Sequence, residues 1–398
     1  MHPKHSLIHL SIFHLMVSTA RAGLFAYVPR LFENLLGNLW LVGLILSIPW
    51  LLNVFFDTII GKLNEKFSPR LMLTTSMVLL ILVSVLYYIS GNLIIALAAL
   101  FLYGFAVDLY MIPAYSSLLH FTPEKRSSFF DAVFYSSGAL GWTLGPLIAG
   151  FIFSHFLNKD VFIFSGLAFA ATFIYCVFTF SSKPIARKTQ KFKLSQFIQG
   201  ITSIKRLSPL LRMSYSLIFI TTFIDDLLNM ITPLYIFSLN IDPLYVGLTL
   251  AAFSAPSFLI RLPAGFLEDF SDKTVIILPV LVVMGVLVVL LSILTHPLFI
   301  VPVAFFIATC HAILGPAIGG IIIAENAYHH TSMNASLRII LENSATVSGY
   351  ILGTLAAFFF GYQIMYFLIG AGIFTTVIIL RNRYPALSFS KIIRHSVI

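Results

Sequence analysis

Apolar positions along this chain fall into long unbroken blocks rather than into stripes. They run over roughly residues 6–32, 39–61, 71–90, 93–119, 129–156, 161–181, 210–238, 244–267, 274–295, 298–324, 337–360 and 364–381. A helix needs ~20 mainly apolar residues to cross the hydrocarbon core of a bilayer. The pattern therefore predicts an all-α polytopic membrane protein with twelve transmembrane helices.

Composition agrees. The 398 residues are 59% hydrophobic and 10% charged, with a mean hydropathy of +0.97 and 39 phenylalanines. A soluble domain is about 45–50% apolar and about 25% charged, so this chain has too little polar surface to cover a water-soluble core. The first apolar block is long, carries Arg21 and lacks a small-residue cleavage site. It reads as a first span rather than a removed signal. Cys176 and Cys310 both lie inside apolar blocks, where cysteine packs as a small hydrophobe.

The net charge of +9 reads as topology rather than as nucleic-acid binding, because of where it sits. One set of connections holds Lys62, Lys66 and Arg70, then Lys125 and Arg126, then residues 182–212 with eight Lys/Arg and no acid, then Lys273 and Arg338. The tail from Arg381 contains four basic residues and no acid. The alternate connections are as short as "GN", "HP" and "GYQ". By the positive-inside rule the basic set faces the cytoplasm, which puts both termini on the cytoplasmic side of a cell (plasma or inner) membrane that the chain crosses many times. Residues 1–181 then form an N-terminal six-helix bundle, 182–209 a basic cytoplasmic linker, 210–381 a C-terminal six-helix bundle and 382–398 a cytoplasmic tail. The linker reads first as a topology determinant; attraction to anionic lipid headgroups is the lesser reading.

The halves repeat. A shift of 204 places "VGLIL" (42–46) on "VGLTL" (246–250), Pro29 on Pro233, Gly61 on Gly265, Glu65 on Asp269 and Gly145 on Gly349. Order and register hold over some 130 residues. Parallel six-span repeats are a transporter architecture, and a channel or membrane enzyme rarely needs one.

Two motifs carry a resemblance. "GKLNEKFSPR" (61–70) is similar to the signature between spans 2 and 3 of the major facilitator superfamily, with Gly61, Glu65, Lys66 and Arg70 matching. Glu65 replaces the usual aspartate and Ser68 the second glycine; the twin "GFLEDFSDK" keeps Gly265, Asp269 and Lys273. "GALGWTLGPLIAG" (138–150) resembles the span-5 signature of the family's antiporters through Gly138, Gly141, Gly145, Pro146 and Gly150. Glycines at these spacings let helices approach closely, and the proline permits a bend. One position departs from the family's drug antiporters: Leu100 stands four residues before Gly104, where they carry a span-4 arginine.

Ionisable residues inside spans cost a few kcal/mol on insertion scales and are expected to face a cavity or a partner. Arg21 maps by the repeat on Asp225, and Asp57 on Arg261, so equivalent positions carry opposite charges. The resemblance implies that spans 1 and 7 meet on the outer side, which suggests an outer gate of Arg21 with Asp225 or Asp226. The alternatives are a pair fixed within one half, or an arginine reaching to the interface. It also implies that span 2 faces span 11 and span 5 faces span 8. Asp57 with Arg338, and Arg261 with Asp131, would then lock the inner side, together with the Gly61, Glu65, Lys66 and Arg70 loop; Asp57 paired within its own half is the competing arrangement.

For proton coupling the candidates are Asp108 on span 4, with an ion pair to Arg21 as its alternative, and the adjacent Asp225 and Asp226. The cavity spans 1, 4, 7 and 10 offer Phe25, Tyr27, Tyr110, Asn229, Met230 and His311. An aromatic wall with one or two charges suits an amphipathic or lipophilic compound better than a sugar. His14 and His311 could titrate in a cavity, or be hydrogen-bonded within the bundle. No metal site, cofactor site or catalytic cluster is evident. The expectation is a monomeric secondary transporter, not an enzyme. It would export lipophilic or cationic small molecules by proton antiport; the other possibility is an importer or facilitator of a small organic solute.

Overall fold

The computed structural model describes residues 3–121, 127–180, 207–261, 263–264, 273–326 and 331–384. Among these the regular structure is helical throughout. The first span is built from α1 (Pro3–Phe25) and α2 (Val28–Leu36), and the second from α3 (Leu39–Leu46) and α4 (Ile48–Lys66). There follow α5 (Pro69–Tyr88), α6 (Leu93–Phe121), α7 (Ser127–His155) and α8 (Asp160–Thr179). The second half holds α9 (Pro209–Ser238), α10 (Leu244–Leu259), α11 (Lys273–Leu291), α12 (Pro297–Asn326) and α13 (Thr331–Arg383).

Local chemistry sets several of these boundaries. Gly37 ends α2 in the left-handed region at φ 61°, its N–H donating to the Glu33 carbonyl, a conformation that favours glycine. Ser68 caps α5 by accepting from the Leu71 N–H at 3.3 Å, with Pro69 next to it in the first turn, where proline costs no hydrogen bond. Helix α13 is interrupted at Gly361, with φ 80° and ψ 164°. That backbone region is essentially restricted to glycine. The apolar stretch Ile340–Arg383 is 44 residues long, about 66 Å at 1.5 Å per residue, and the break divides it into the last two spans. With the shorter apolar helices Leu39–Asn53, Leu244–Leu259 and Val275–Leu291, the described helices account for the twelve blocks read in the sequence.

Large apolar side chains stand on the outside of these helices, among them Phe178 at 82% exposed and Ile94 at 79%. Water would not tolerate that surface; a bilayer is its natural solvent.

By contact, the chain divides into two compact units, Met1–Lys191 with Thr232–Phe258, and Phe192–Ile231 with Leu259–Ile398. In the first unit α7 lies directly on α1. A β-carbon at Gly141 would fall 2.7 Å from the Leu15 carbonyl oxygen, and one at Gly145 would overlap the Thr19 carbonyl. Residues 232–258 join this unit because α10 closes on the far end of α7. A β-carbon at Gly150 would lie 3.0 Å from the Gly247 α-carbon, and one at Gly247 would overlap the Pro146 carbonyl.

The repeat is visible in the packing. Gly145 meets the Thr19 carbonyl, and 204 residues later Gly349 meets the Phe223 carbonyl, with its β-carbon position 2.9 Å away. Gly166 faces Ser84 on α5, and its equivalent Gly370 faces Val289 on α11.

Candidate substrate and coupling sites

Arg21 sits on α1 with 9% of its surface exposed. Its Nε donates to the Tyr103 hydroxyl at 3.2 Å, and its Nη1 donates to the Tyr110 hydroxyl. The rings of Tyr103, Tyr110 and Trp142 surround the guanidinium at 5.7, 5.5 and 5.8 Å. Three elements build this cage: α1 supplies the cation, α6 two tyrosines a heptad apart on one face, and α7 the tryptophan. Among the described residues of the first unit no carboxylate lies within ion-pair distance of Arg21. The hydroxyls satisfy donors, and the rings attract the cation through their quadrupoles, but neither cancels its charge.

Asp108 stands on the same α6, 7% exposed. With its amide turned to donate, Asn53 on α4 reaches the Asp108 Oδ2 at 3.2 Å and the Pro49 carbonyl at 2.6 Å. Sequence reasoning misses Asn53, Tyr103 and Trp142. The heptad spacing of Tyr103 and Tyr110 is a readable signal for two of the cage contacts.

The second unit holds the other charge group. Asp225 on α9 faces His311 on α12, with Oδ1 and Nδ1 3.9 Å apart, and the two side chains are 29% and 31% exposed. The Asp225 carbonyl accepts from the Asn229 amide at 2.9 Å. Next to it, Asp226 accepts a hydrogen bond from the Thr346 hydroxyl of α13. Earlier on α13, Arg338 Nε donates to Glu342 Oε1 at 2.7 Å. By the 204-residue shift Asp225 is the twin of Arg21, and Asp226–Thr346 occupies the positions of Ala22 and Trp142. Equivalent places in the two units thus hold a caged cation in one and an acid–histidine pair in the other.

The remaining candidates are placed as follows. Phe25 stacks at a tilt near Tyr103, 6.0 Å between centroids, and Tyr27 packs among Phe153, Phe162 and Phe237. Met230 is buried at 1%. His14 is 5% exposed, stacked on Phe134 at 4.2 Å and pressed against Gly138. Towards the end of α4, Lys66 is exposed and Gly61 has open space around it. Arg70 Nε donates to the Phe180 carbonyl at 2.6 Å, tying the start of α5 to the end of α8. Arg261 is exposed, its guanidinium 3.9 Å from the β-carbon position of Gly315. The side chains of Asp57, Glu65 and Asp131, and all of Gly265 and Asp269, lie outside the described residues.

At the far end of α7, Ser154 Oγ donates to Asp242 Oδ1 at 2.5 Å, and the Leu244 N–H donates to the same oxygen at 2.9 Å. The Ser154 hydroxyl, then the Leu244 N–H, hold the Asp242 carboxyl below the usual aspartate range, with nearby His155 adding to them.

The family profile described as Major Facilitator Superfamily matches residues 10–323. The chain belongs to this superfamily. Solved structures agree on the fold. A peptide transporter of the POT type in complex with sulfate has a TM-score of 0.73 at 12% identity, covering 96% of this chain and 94% of the other. The nucleoside transporter NupG, as a single-residue variant, has 0.73 at 10%, covering 95% and 100%. A POT family transporter in complex with 5-aminolevulinic acid has 0.74 at 11%, covering 96% of each. Among curated proteins none matches the sequence. A superfamily member with this fold is a secondary transporter in a membrane, and membership points to a transporter rather than an enzyme.

Proposed function

We propose that this chain exports lipophilic or cationic small molecules by alternating access, in exchange for protons. The observation that supports this most is the group of Asp225, His311, Asp226 and Thr346 across α9, α12 and α13. Two adjacent carboxyl groups, an imidazole 3.9 Å from one of them and a hydroxyl donating to the other put several proton-exchanging groups together in one place. In this reading the group takes up a proton in one half of the cycle and releases it in the other, with the neighbouring polar side chains solvating the charge that remains. Asp108 is the other carrier candidate, buried against Asn53. Arg21 with Asp225 remains the proposed outer gate. The inner gate remains Asp57 with Arg338 and Arg261 with Asp131, alongside the Gly61–Arg70 loop.

A second reading is import or facilitated passage of a small organic solute. The Arg21 cage favours it, because a buried cation held only by neutral groups of its own unit repels cationic cargo and suits a carboxylate.

Proteoliposomes enclosing a pH-sensitive dye separate the two. Under an imposed proton gradient, adding lipophilic cations to the wild type should drive proton movement, and Asp225→Asn should lose it. Cation flux that moves no protons, or carboxylate flux in place of cation flux, would overturn the antiport reading and leave the second.

A further inference from the structure

A cleft of about 380 Å³ opens between α9 and the two limbs of α13, all within the second unit. Phe219, Phe223 and Leu227 line it from α9, and Leu368, Gly372 and Thr376 from the last span. It is apolar apart from Thr376, and Leu368 at its mouth is 46% exposed.

The repeat explains why the cleft exists here. In the first unit the Phe164 ring fills the equivalent space, 3.0 Å from the β-carbon position of Gly23. In the second unit Leu368 replaces Phe164, Leu227 replaces Gly23 and Gly372 replaces Ala168. Leu227 holds the helices apart where Gly23 lets them close, and neither Leu368 nor Gly372 fills the gap. A β-carbon at Gly372 would meet nothing within 4 Å.

Helical spacing places two arginines beyond one end of the cleft. Arg212 stands seven residues before Phe219 on α9, and Arg383 seven residues after Thr376 on α13. Seven residues are two helical turns, about 10 Å along the axis and back to the same face. Each lining face is thus continued past the cleft by an arginine. Arg383 is exposed. The Nε of Arg212 is buried without a hydrogen-bond partner among the described residues.

We propose that this cleft is a binding site for an anionic phospholipid, one acyl chain lying between α9 and the last span and the phosphate held by Arg212 and Arg383. An apolar groove open to the bilayer is filled by hydrocarbon, and two arginines at one end select a negative headgroup, as basic residues at a membrane surface do. Along α9 the lining runs from Phe219 to Leu227 and along the last span from Met365 to Thr376, roughly 12 and 16 Å, a length suited to a single chain and too long for a small solute.

The test uses the purified, lipid-depleted full-length protein in detergent, with melting temperature followed as lipid is titrated in. Dioleoylphosphatidylglycerol should raise it saturably, at roughly tenfold lower mole fraction than dioleoylphosphatidylcholine, the scale of one or two basic groups near an anionic headgroup. The double variant Arg212→Gln, Arg383→Gln should lose the preference while still binding both lipids weakly. Gly372→Trp, or Gly372→Leu if the larger residue impairs folding, should abolish saturable binding of both. Inorganic phosphate alone should do nothing. Equal response to the two lipids in the wild type, a preference that survives in the double variant, or a shift with free phosphate would overturn the proposal. So would a change of oligomeric mass on filling the cleft, which would make it a protein contact.

Discussion

Gly247 lies so close to Gly150 that a β-carbon added to it would stand 2.7 Å from the Gly150 α-carbon. The neighbouring atoms are backbone and cannot step aside. Gly247→Leu is expected to cost about 1–3 kcal/mol by overpacking, or to force α7 and α10 apart and stop transport. Gly319→Leu is the control, since nothing lies within 4 Å of its β-carbon position. Melting temperature and substrate flux, measured on both, check this; equal behaviour of the two variants would refute it.

Arg21 gives a sharper separation of stability from function. Burying a charge that no opposite charge balances is costly, and removing a group that solvates it leaves it still less compensated. Arg21→Met should therefore keep or raise the melting temperature while transport is lost. Tyr110→Phe should lower stability by about 1.5–3 kcal/mol, the worth of a hydrogen bond to a charged group. Thermal melts of the two variants side by side decide it, and a larger loss in Arg21→Met than in Tyr110→Phe would contradict the cage.

Asp242 predicts an acid limb. Its carboxyl is held below the ordinary aspartate value by the Ser154 hydroxyl and the Leu244 N–H. A depressed folded-state pKa means that the unfolded chain takes up the proton first as pH falls. The stabilisation is complete above the ordinary range near about 3.9 and is lost as pH drops through the lower folded value. The group is largely exposed, so the effect is small. Melting curves from neutral pH downwards should fall more steeply for the wild type than for Asp242→Asn, and the two lines should run parallel if the bond is idle.

Asp225→Asn makes a kinetic prediction. If this acid carries the coupled proton, substrate exchange between equally loaded sides should persist while gradient-driven accumulation falls to background. Counterflow and uphill transport measured on the same vesicles distinguish coupling from substrate binding. Loss of both together would mark Asp225 as a binding or structural residue instead.

The fold is legible because membrane insertion writes it in plain terms. Every span must be apolar along its length, and close helix crossings need glycine, so Gly141, Gly145 and Gly150 announce the α7 contacts. The partners of charges are less legible. Sequence reading matches charge to charge, and it pairs Arg21 with Asp225 through the repeat. Within its own unit Arg21 also rests on the neutral hydroxyls of Tyr103 and Tyr110, contacts that matching charge to charge does not reveal. The short-range pair Arg338–Glu342 is readable from its i,i+4 spacing, while the side chain of Asp57, the gate partner expected for Arg338, lies outside the described residues. The cleft beside Leu368 cannot be read at all, since it arises from a difference in side-chain volume between the repeats that only packing exposes.

Gly361 has a mechanical consequence. It joins the last two spans by a single non-helical residue, so this hairpin has no slack. A sliding of one limb by one residue, ~1.5 Å, must drag the other with it or open the turn. Thr346, which donates to Asp226, and Gly372, which lines the apolar cleft, sit on opposite limbs of that hairpin. A piston stroke begun at the acid group would therefore be delivered to the surface that meets the bilayer.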